Sequence, residues 1–205
     1  MREMNNMIPN SIRNNLKEVN KLRVENSADD NYRFDCETDT LFIPLSEQNF
    51  ARQFKDFINL KEIELNIHNK VKYAHAMFYQ CINLKKIIFT KKLNLEYVCD
   101  LSYLFYNCSS LTKIDLSNVI IGDSPLFLNN MFYNCTSIKM INFGNNFHNK
   151  QVHFASYLFY NCKMLKRLDL RGIYFTNIEK SCNMFSGTDK DLEVLVNNTF
   201  SEELV

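Results

Sequence analysis

Apolar residues recur along this chain in two alternating blocks. The first has the spacing L-x-x-L-x-L: Leu60, Ile63, Leu65; Leu84, Ile87, Phe89; Leu111, Ile114, Leu116; Ile138, Ile141, Phe143; Leu165, Leu168, Leu170; and finally Leu192 and Leu195. Short alternating segments of this kind predict strands whose first, fourth and sixth residues face a core. The second block precedes the first in each unit: Met77-Phe78-Tyr79-Gln80-Cys81, Leu104-Phe105-Tyr106-Asn107-Cys108, Met131-Phe132-Tyr133-Asn134-Cys135 and Leu158-Phe159-Tyr160-Asn161-Cys162. Met77 and Cys81 are four residues apart and would share one face of a helix, so the block predicts a short helix that stacks Met/Leu, Phe and Cys on the strand layer. Cys81, Cys108, Cys135 and Cys162 repeat every 27 residues. Weaker copies, Phe54-Lys55-Asp56-Phe57-Ile58-Asn59-Leu60 and Met184-Phe185-Ser186-Gly187, extend the array to six units.

The flanks read differently. Ile12, Leu16 and Val19 have helical spacing, whereas Tyr32, Phe34 and Cys36 alternate as a strand and are followed, after the polar turn Glu37-Thr38-Asp39-Thr40, by Leu41-Phe42-Ile43. Residues 1–45 are therefore expected to form a cap of one helix and one hairpin, residues 46–197 the repeats and residues 198–205 a tail. The first repeat helix is expected to start at Ser46, with Leu45 and Phe50 as a hydrophobic staple. Stacked repeats expose a strand edge at each end, and the short tail leaves little to cover the last one. Self-association through the C-terminal edge is the corresponding expectation.

The run M/L-F-x-N-C-x-S-L-x-x-I-D-L-S, clearest from Leu104 to Ser117, resembles the BspA-like leucine-rich repeats of bacterial, mycoplasma and protist surface proteins. The resemblance implies an α/β leucine-rich-repeat solenoid. Its parallel β-ladder would line the concave face and short helices the convex face, in six repeats of about 24–27 residues. It also implies a surface adhesin or a protein-binding scaffold. One departure stands out: the position three residues after each strand, where ordinary leucine-rich repeats carry an Asn ladder, holds His68, Lys92, Val119, Asn146 and Ile173.

Composition narrows the function classes. With 46% hydrophobic residues and a net charge of +1, the chain has the makings of a folded core and no overall electrostatic case for nucleic acid. No apolar run approaches the roughly 20 residues of a membrane span. The N-terminal Met1-Arg2-Glu3-Met4-Asn5-Asn6 carries charge and amide where a signal peptide carries an apolar stretch, so the expectation is a cytoplasmic protein with reduced cysteines, against the surface location that the resemblance implies. Asn107-Cys108-Ser109 and Asn134-Cys135-Thr136 match the glycosylation pattern but belong to the repeat motif.

Candidate chemistry is sparse. The Cys81, Cys108, Cys135 and Cys162 ladder is expected to be a core feature, since a free thiol behaves as a small hydrophobe, and no closely spaced cysteine pair suggests a metal site. His68, His75, His148 and His153 fall in connecting stretches of different repeats. No phosphate-binding or protease motif is present, so neither enzyme activity nor a cofactor is expected. The strand residues between the core positions are more informative. Lys85, Lys86, Lys113, Lys139, Lys166 and Arg167 would form a basic stripe on the concave face, with Asp115 and Asp169 beside it. Such a surface suits a protein partner with an acidic segment. Tyr79, Tyr106, Tyr133 and Tyr160 form a second ladder on the convex side, readable as packing between repeats or as an aromatic contact stripe.

Overall fold

A computed structural model describes residues 18–25, 33–44, 49–67, 70–147, 150–175 and 182–197. Its strands are short: β1 (Lys21–Glu25), β2 (Arg33–Asp35), β3 (Thr40–Pro44), β4 (Glu62–Asn66), β5 (Lys86–Phe89), β6 (Leu93–Leu95), β7 (Lys113–Asp115), β8 (Val119–Ile121), β9 (Leu126–Phe127), β10 (Met140–Asn142), β11 (Lys150–Phe154), β12 (Arg167–Asp169), β13 (Ile173–Phe175) and β14 (Glu193–Leu195). One 3-10 turn spans Asn145–Phe147.

The L-x-x-L-x-L segments supply the strands β4, β5, β7, β10, β12 and β14, which pair in parallel as β4 with β5, β7 with β10 and β12 with β14. Ile63 lies opposite Ile87, Ile114 opposite Ile141, and Leu168 opposite Val194. A one-residue slip would turn every apolar residue outward, so burial fixes this register. Two further sets of strands, β6 with β8 and β9 with β11 and β13, link the segments that follow each main strand. Gly144 sits in one such connection with φ +65, and a Cβ there would lie 2.6 Å from the Ser117 backbone of the preceding copy.

The short helices expected opposite the strands are absent among the described residues. Each M/L-F-Y-N-C block is instead a run of tight turns. Two residues per block have positive φ, spaced four apart: Ala76 and Gln80, Tyr103 and Asn107, Asn130 and Asn134, Tyr157 and Asn161. A helix cannot pass through left-handed residues. The hydrogen bonds show what replaces it. Tyr106 N–H reaches back to the Tyr103 carbonyl and Cys108 N–H to that of Phe105, whereas Tyr103, Phe105 and Asn107 donate to Asn129, Met131 and Tyr133 of the next copy. Alternate amides thus close turns within a copy and tie one copy to the next, so no buried amide is stranded. The i, i+4 spacing of Met77 and Cys81 is real, but turns produce it.

The core follows from this translation of one copy onto the next. Phe54, Phe78, Phe105, Phe132, Phe159 and Phe185 form a continuous stack with ring centroids 5.3–5.8 Å apart. Such offset contacts add to the burial of the rings.

The ends match the sequence-based expectation only in part: the hairpin is present as β2 and β3. Val19 is not helical; the rest of the expected N-terminal helix, the start at Ser46 and Leu45 lie outside the described residues, and Ala51–Asp56 is a run of turns. Val19, Leu22 and Val24 repeat the L-x-x-L-x-L spacing, and β1 pairs in register with β4, Leu22 against Ile63 and Val24 against Leu65. The hairpin β2–β3 then places β3 in parallel on the other edge of β1. At the far end Leu192 packs against the core as its spacing predicts, but Val194 and Val196 join it there, while Leu195, expected inside, lies opposite the outward Asp169.

One buried polar residue breaks the pattern. Gln53 occupies the block position held elsewhere by Met77, Leu104, Met131 and Leu158, is 1% exposed, and has no hydrogen-bond partner for either amide atom. A buried amide without partners costs about 1–3 kcal/mol. Gln53→Met is therefore expected to raise the denaturant midpoint by a corresponding amount, and an unchanged or lower midpoint would contradict this account.

Candidate functional site: the strand face and the tyrosine column

Side chains alternate across a strand, so the residues between the buried positions of β5, β7, β10 and β12 all reach one surface. Lys85, Lys86, Lys113, Lys139, Lys166 and Arg167 are all exposed there. Their electrostatic surroundings differ along the array. At the N-terminal end the signs alternate across strands, with Glu62 between Lys21 and Lys86, and Arg23 3.5 Å from Glu64. At the C-terminal end Lys166 pairs with Asp189 at 2.6 Å and Arg167 with Glu193 at 3.8 Å. The Lys166 hydrogen bond holds the Asp189 carboxyl below its ordinary range and raises the Lys166 ammonium. Lys85, Lys86, Lys113 and Lys139 form no ion pair among the described residues. The basic stripe is thus concentrated in the middle strands.

The two acids beside the stripe have local duties. Asp115 accepts the Ser117 N–H at 3.0 Å and an amide hydrogen of Asn142 at 2.9 Å, shaping the turn after β7. Asp169 accepts the Arg171 N–H and is gripped by both ends of its guanidinium at 2.9 and 2.6 Å. Arg171 holds the Asp169 carboxyl below its ordinary range. Asp189 is the functional neighbour that the repeat pattern did not reveal, because it lies outside the recurring strand positions.

Across the copy, the turn block exposes Tyr79, Tyr106, Tyr133 and Tyr160. Their rings stack at 4.6, 4.7 and 4.6 Å, within 4–9° of parallel. Packing between copies accounts for the half-buried rings. Tyr103 and Tyr157 lean against this column, and Lys55 Nζ lies 4.9 Å over the Tyr79 ring. Burial raises the Tyr106 hydroxyl pKa, with its tyrosine neighbours adding to the shift. Beneath the column, Asn134 donates to Asn107 and Asn161 to Asn134, an amide ladder within the blocks. Outside them, Asn118 donates to the Phe89 carbonyl and Asn146 to that of Ser117.

The four repeat cysteines are fully buried, and their thiols act as donors. Cys81, Cys108, Cys135 and Cys162 Sγ lie 3.0–3.2 Å from the carbonyls of Phe54, Phe78, Phe105 and Phe132 in the preceding copy. Phe78, Phe105 and Phe132 also accept the Cys N–H of their own copy, so both lone pairs are engaged. Burial pushes the thiols of Cys108 and Cys135 well up and that of Cys162 to about 12. None of the seven cysteines forms a disulfide. His153 packs edge-on against Phe127 and Phe154, His75 lines a cleft beside Tyr79, and His68 and His148 lie outside the described residues. No group of three or more His, Cys, Asp or Glu side chains that could hold a metal occurs among the described residues, nor any helix long and apolar enough to cross a membrane.

Parallel strands joined copy to copy, each copy contributing like residues to a shared core, define a repeat protein of the leucine-rich kind. The family model for the BspA type leucine rich repeat region matches residues 31–149 and 101–202 in six copies, and the chain belongs to that family. No curated protein and no solved structure matches it.

Thiol reactivity follows from burial. Cys36, Cys99 and Cys182 are exposed and are expected to react promptly with a maleimide, whereas Cys81, Cys108, Cys135 and Cys162 react only as the protein unfolds; mass spectrometry of the intact labelled chain distinguishes the two sets. Alkali provides a second check. Between the ordinary thiol value of 9.0 and about 12, the unfolded chain has released protons that the folded chain still holds. Stability is thus complete below the lower value and falls as pH rises through this window. Urea midpoints at pH 8 and pH 10 should show that loss, and a Cys108→Ala, Cys135→Ala double variant should show less of it.

Proposed function

We propose that the protein is a non-catalytic protein-interaction module, with the strands forming the concave face of a solenoid behind an N-terminal cap. It binds an acidic segment of a partner protein on that face. The reading rests on one observation: Lys85, Lys86, Lys113 and Lys139 stand exposed on successive repeat strands and form no ion pair among the described residues. Lys166, Arg167, Asp115 and Asp169 form the border of this surface. Electrostatic docking of this kind governs encounter rate and selectivity and weakens with salt. Family membership supports a second reading, a surface adhesin presenting the same face. The outer edge of β14 has no strand partner among the described residues, which supports self-association there.

Reversing the charge of Lys86, Lys113 and Arg167 together is expected to abolish capture of acidic partners from a native lysate at low salt; unchanged capture would overturn the docking reading. A single monomeric mass by light scattering at micromolar concentration would exclude self-association.

A further inference from the structure

The tyrosine side carries a second pattern, with a period of two copies. The first positive-φ position of each block projects beside the tyrosine column, and its occupants in order are Arg52, Ala76, Tyr103, Asn130, Tyr157 and Asn183. Tyr103 and Tyr157 make nearly the same contacts. Tyr103 lies 5.8 Å from Tyr106 and 6.4 Å from Tyr79, and Tyr157 lies 5.7 Å from Tyr160 and 6.3 Å from Tyr133. Two large rings thus alternate with the smaller Ala76, Asn130 and Asn183, giving ridges and gaps. At Ala76 the gap opens into a cleft of about 540 Å³ between Arg52 and Tyr103, bordered by Lys55, His75 and Tyr79.

Parallel-paired copies advance about 4.8 Å each, so gap follows gap at about 9.6 Å. One turn of a polyproline II helix rises about 9.3 Å over three residues. The Tyr79, Tyr106, Tyr133 and Tyr160 hydroxyls make no hydrogen bond within the described chain, and a polyproline II backbone has carbonyls with no internal donor. Aromatic grooves that take prolines between rings and offer hydroxyls to carbonyls are a general solution for such peptides.

We propose that the tyrosine column binds an extended proline-rich segment of a partner protein, with prolines at every third position entering the gaps at Ala76 and Asn130. This surface is separate from the basic strand face and stands independently of the function proposed for it.

The test is fluorescence anisotropy of the full chain with a labelled twelve-residue peptide carrying proline at every third position. Saturable binding is expected, together with at least a roughly tenfold loss when each proline becomes alanine. Ala76→Tyr and Asn130→Tyr should cause a similar loss by filling the gaps. The same position holds tyrosine at φ 61 in Tyr103 and φ 58 in Tyr157, so the backbone accepts it. Tyr157→Ala removes a ridge instead and should also weaken binding. The variant with Lys86, Lys113 and Arg167 reversed should bind this peptide as the wild type does. No binding at millimolar peptide, equal binding of the alanine peptide, or binding indifferent to both a folded gap-filling variant and Tyr157→Ala would each overturn the proposal.

Discussion

The main-chain hydrogen bonds that cross from one turn block to the next are the constraint on which the structure depends. Every second amide of the block is committed to the following copy, which requires the chain to adopt a left-handed conformation twice within five residues. Asparagine tolerates that conformation better than most residues, and it stands at Asn107, Asn134 and Asn161. Once backbones are tied at this spacing, like must stack on like: phenylalanine on phenylalanine inside, tyrosine on tyrosine at the surface, amide on amide between them. The cysteine position follows from the same constraint. A phenylalanine carbonyl that accepts one amide has a lone pair left over in the core, and a thiol from the next copy is small enough to reach it without a cavity.

Much of this was legible in the sequence. The strand segments announce themselves by L-x-x-L-x-L, and the 27-residue spacing of the cysteines gives the copy length. The turn blocks were misread because a four-residue spacing of apolar side chains, as in Met77 and Cys81, is shared by helices and by successive turns. Only backbone φ separates the two, and the pattern of apolar residues does not encode it. The asparagines did carry that information, at Asn107, Asn130, Asn134 and Asn161. Strand β1 escaped notice because Val19 also fits the helical spacing of Ile12 and Leu16, and the local pattern holds no record of the β4 edge that claims Leu22 and Val24. At the C-terminal end, Leu192 and Leu195 fit the L-x-x-L spacing of the other copies, yet pairing with β12 sets Leu195 opposite the outward Asp169 and brings Val194 and Val196 to the core with Leu192. Among candidate contact residues, the basic stripe was visible, but its narrowing to the middle strands was not: Asp189 lies 23 residues from Lys166 and outside every recurring position.

The division of labour within a copy has a consequence for how surfaces vary. Core positions are tied to their counterparts above and below, so a change in one copy is felt by two others. Outward strand positions and the first left-handed position of each block meet fewer demands. They differ from copy to copy here, lysine, methionine and arginine on one side, alanine, tyrosine and asparagine on the other. Two faces of the same array can thus carry unrelated chemistry on one unchanging frame.

The block ladder also has a direction. Its crossing amides all point toward the C-terminal copies and its accepting carbonyls all point back, unlike paired strands, which exchange donors and acceptors. Summed over the array, the peptide dipoles of the blocks run parallel to the stacking axis, with their positive ends toward the C-terminal copy. A protein without a single α-helix among its described residues thereby has the electrical asymmetry usually associated with one, laid across its turns, and its two ends differ in kind: one offers hydrogen-bond donors and the other acceptors.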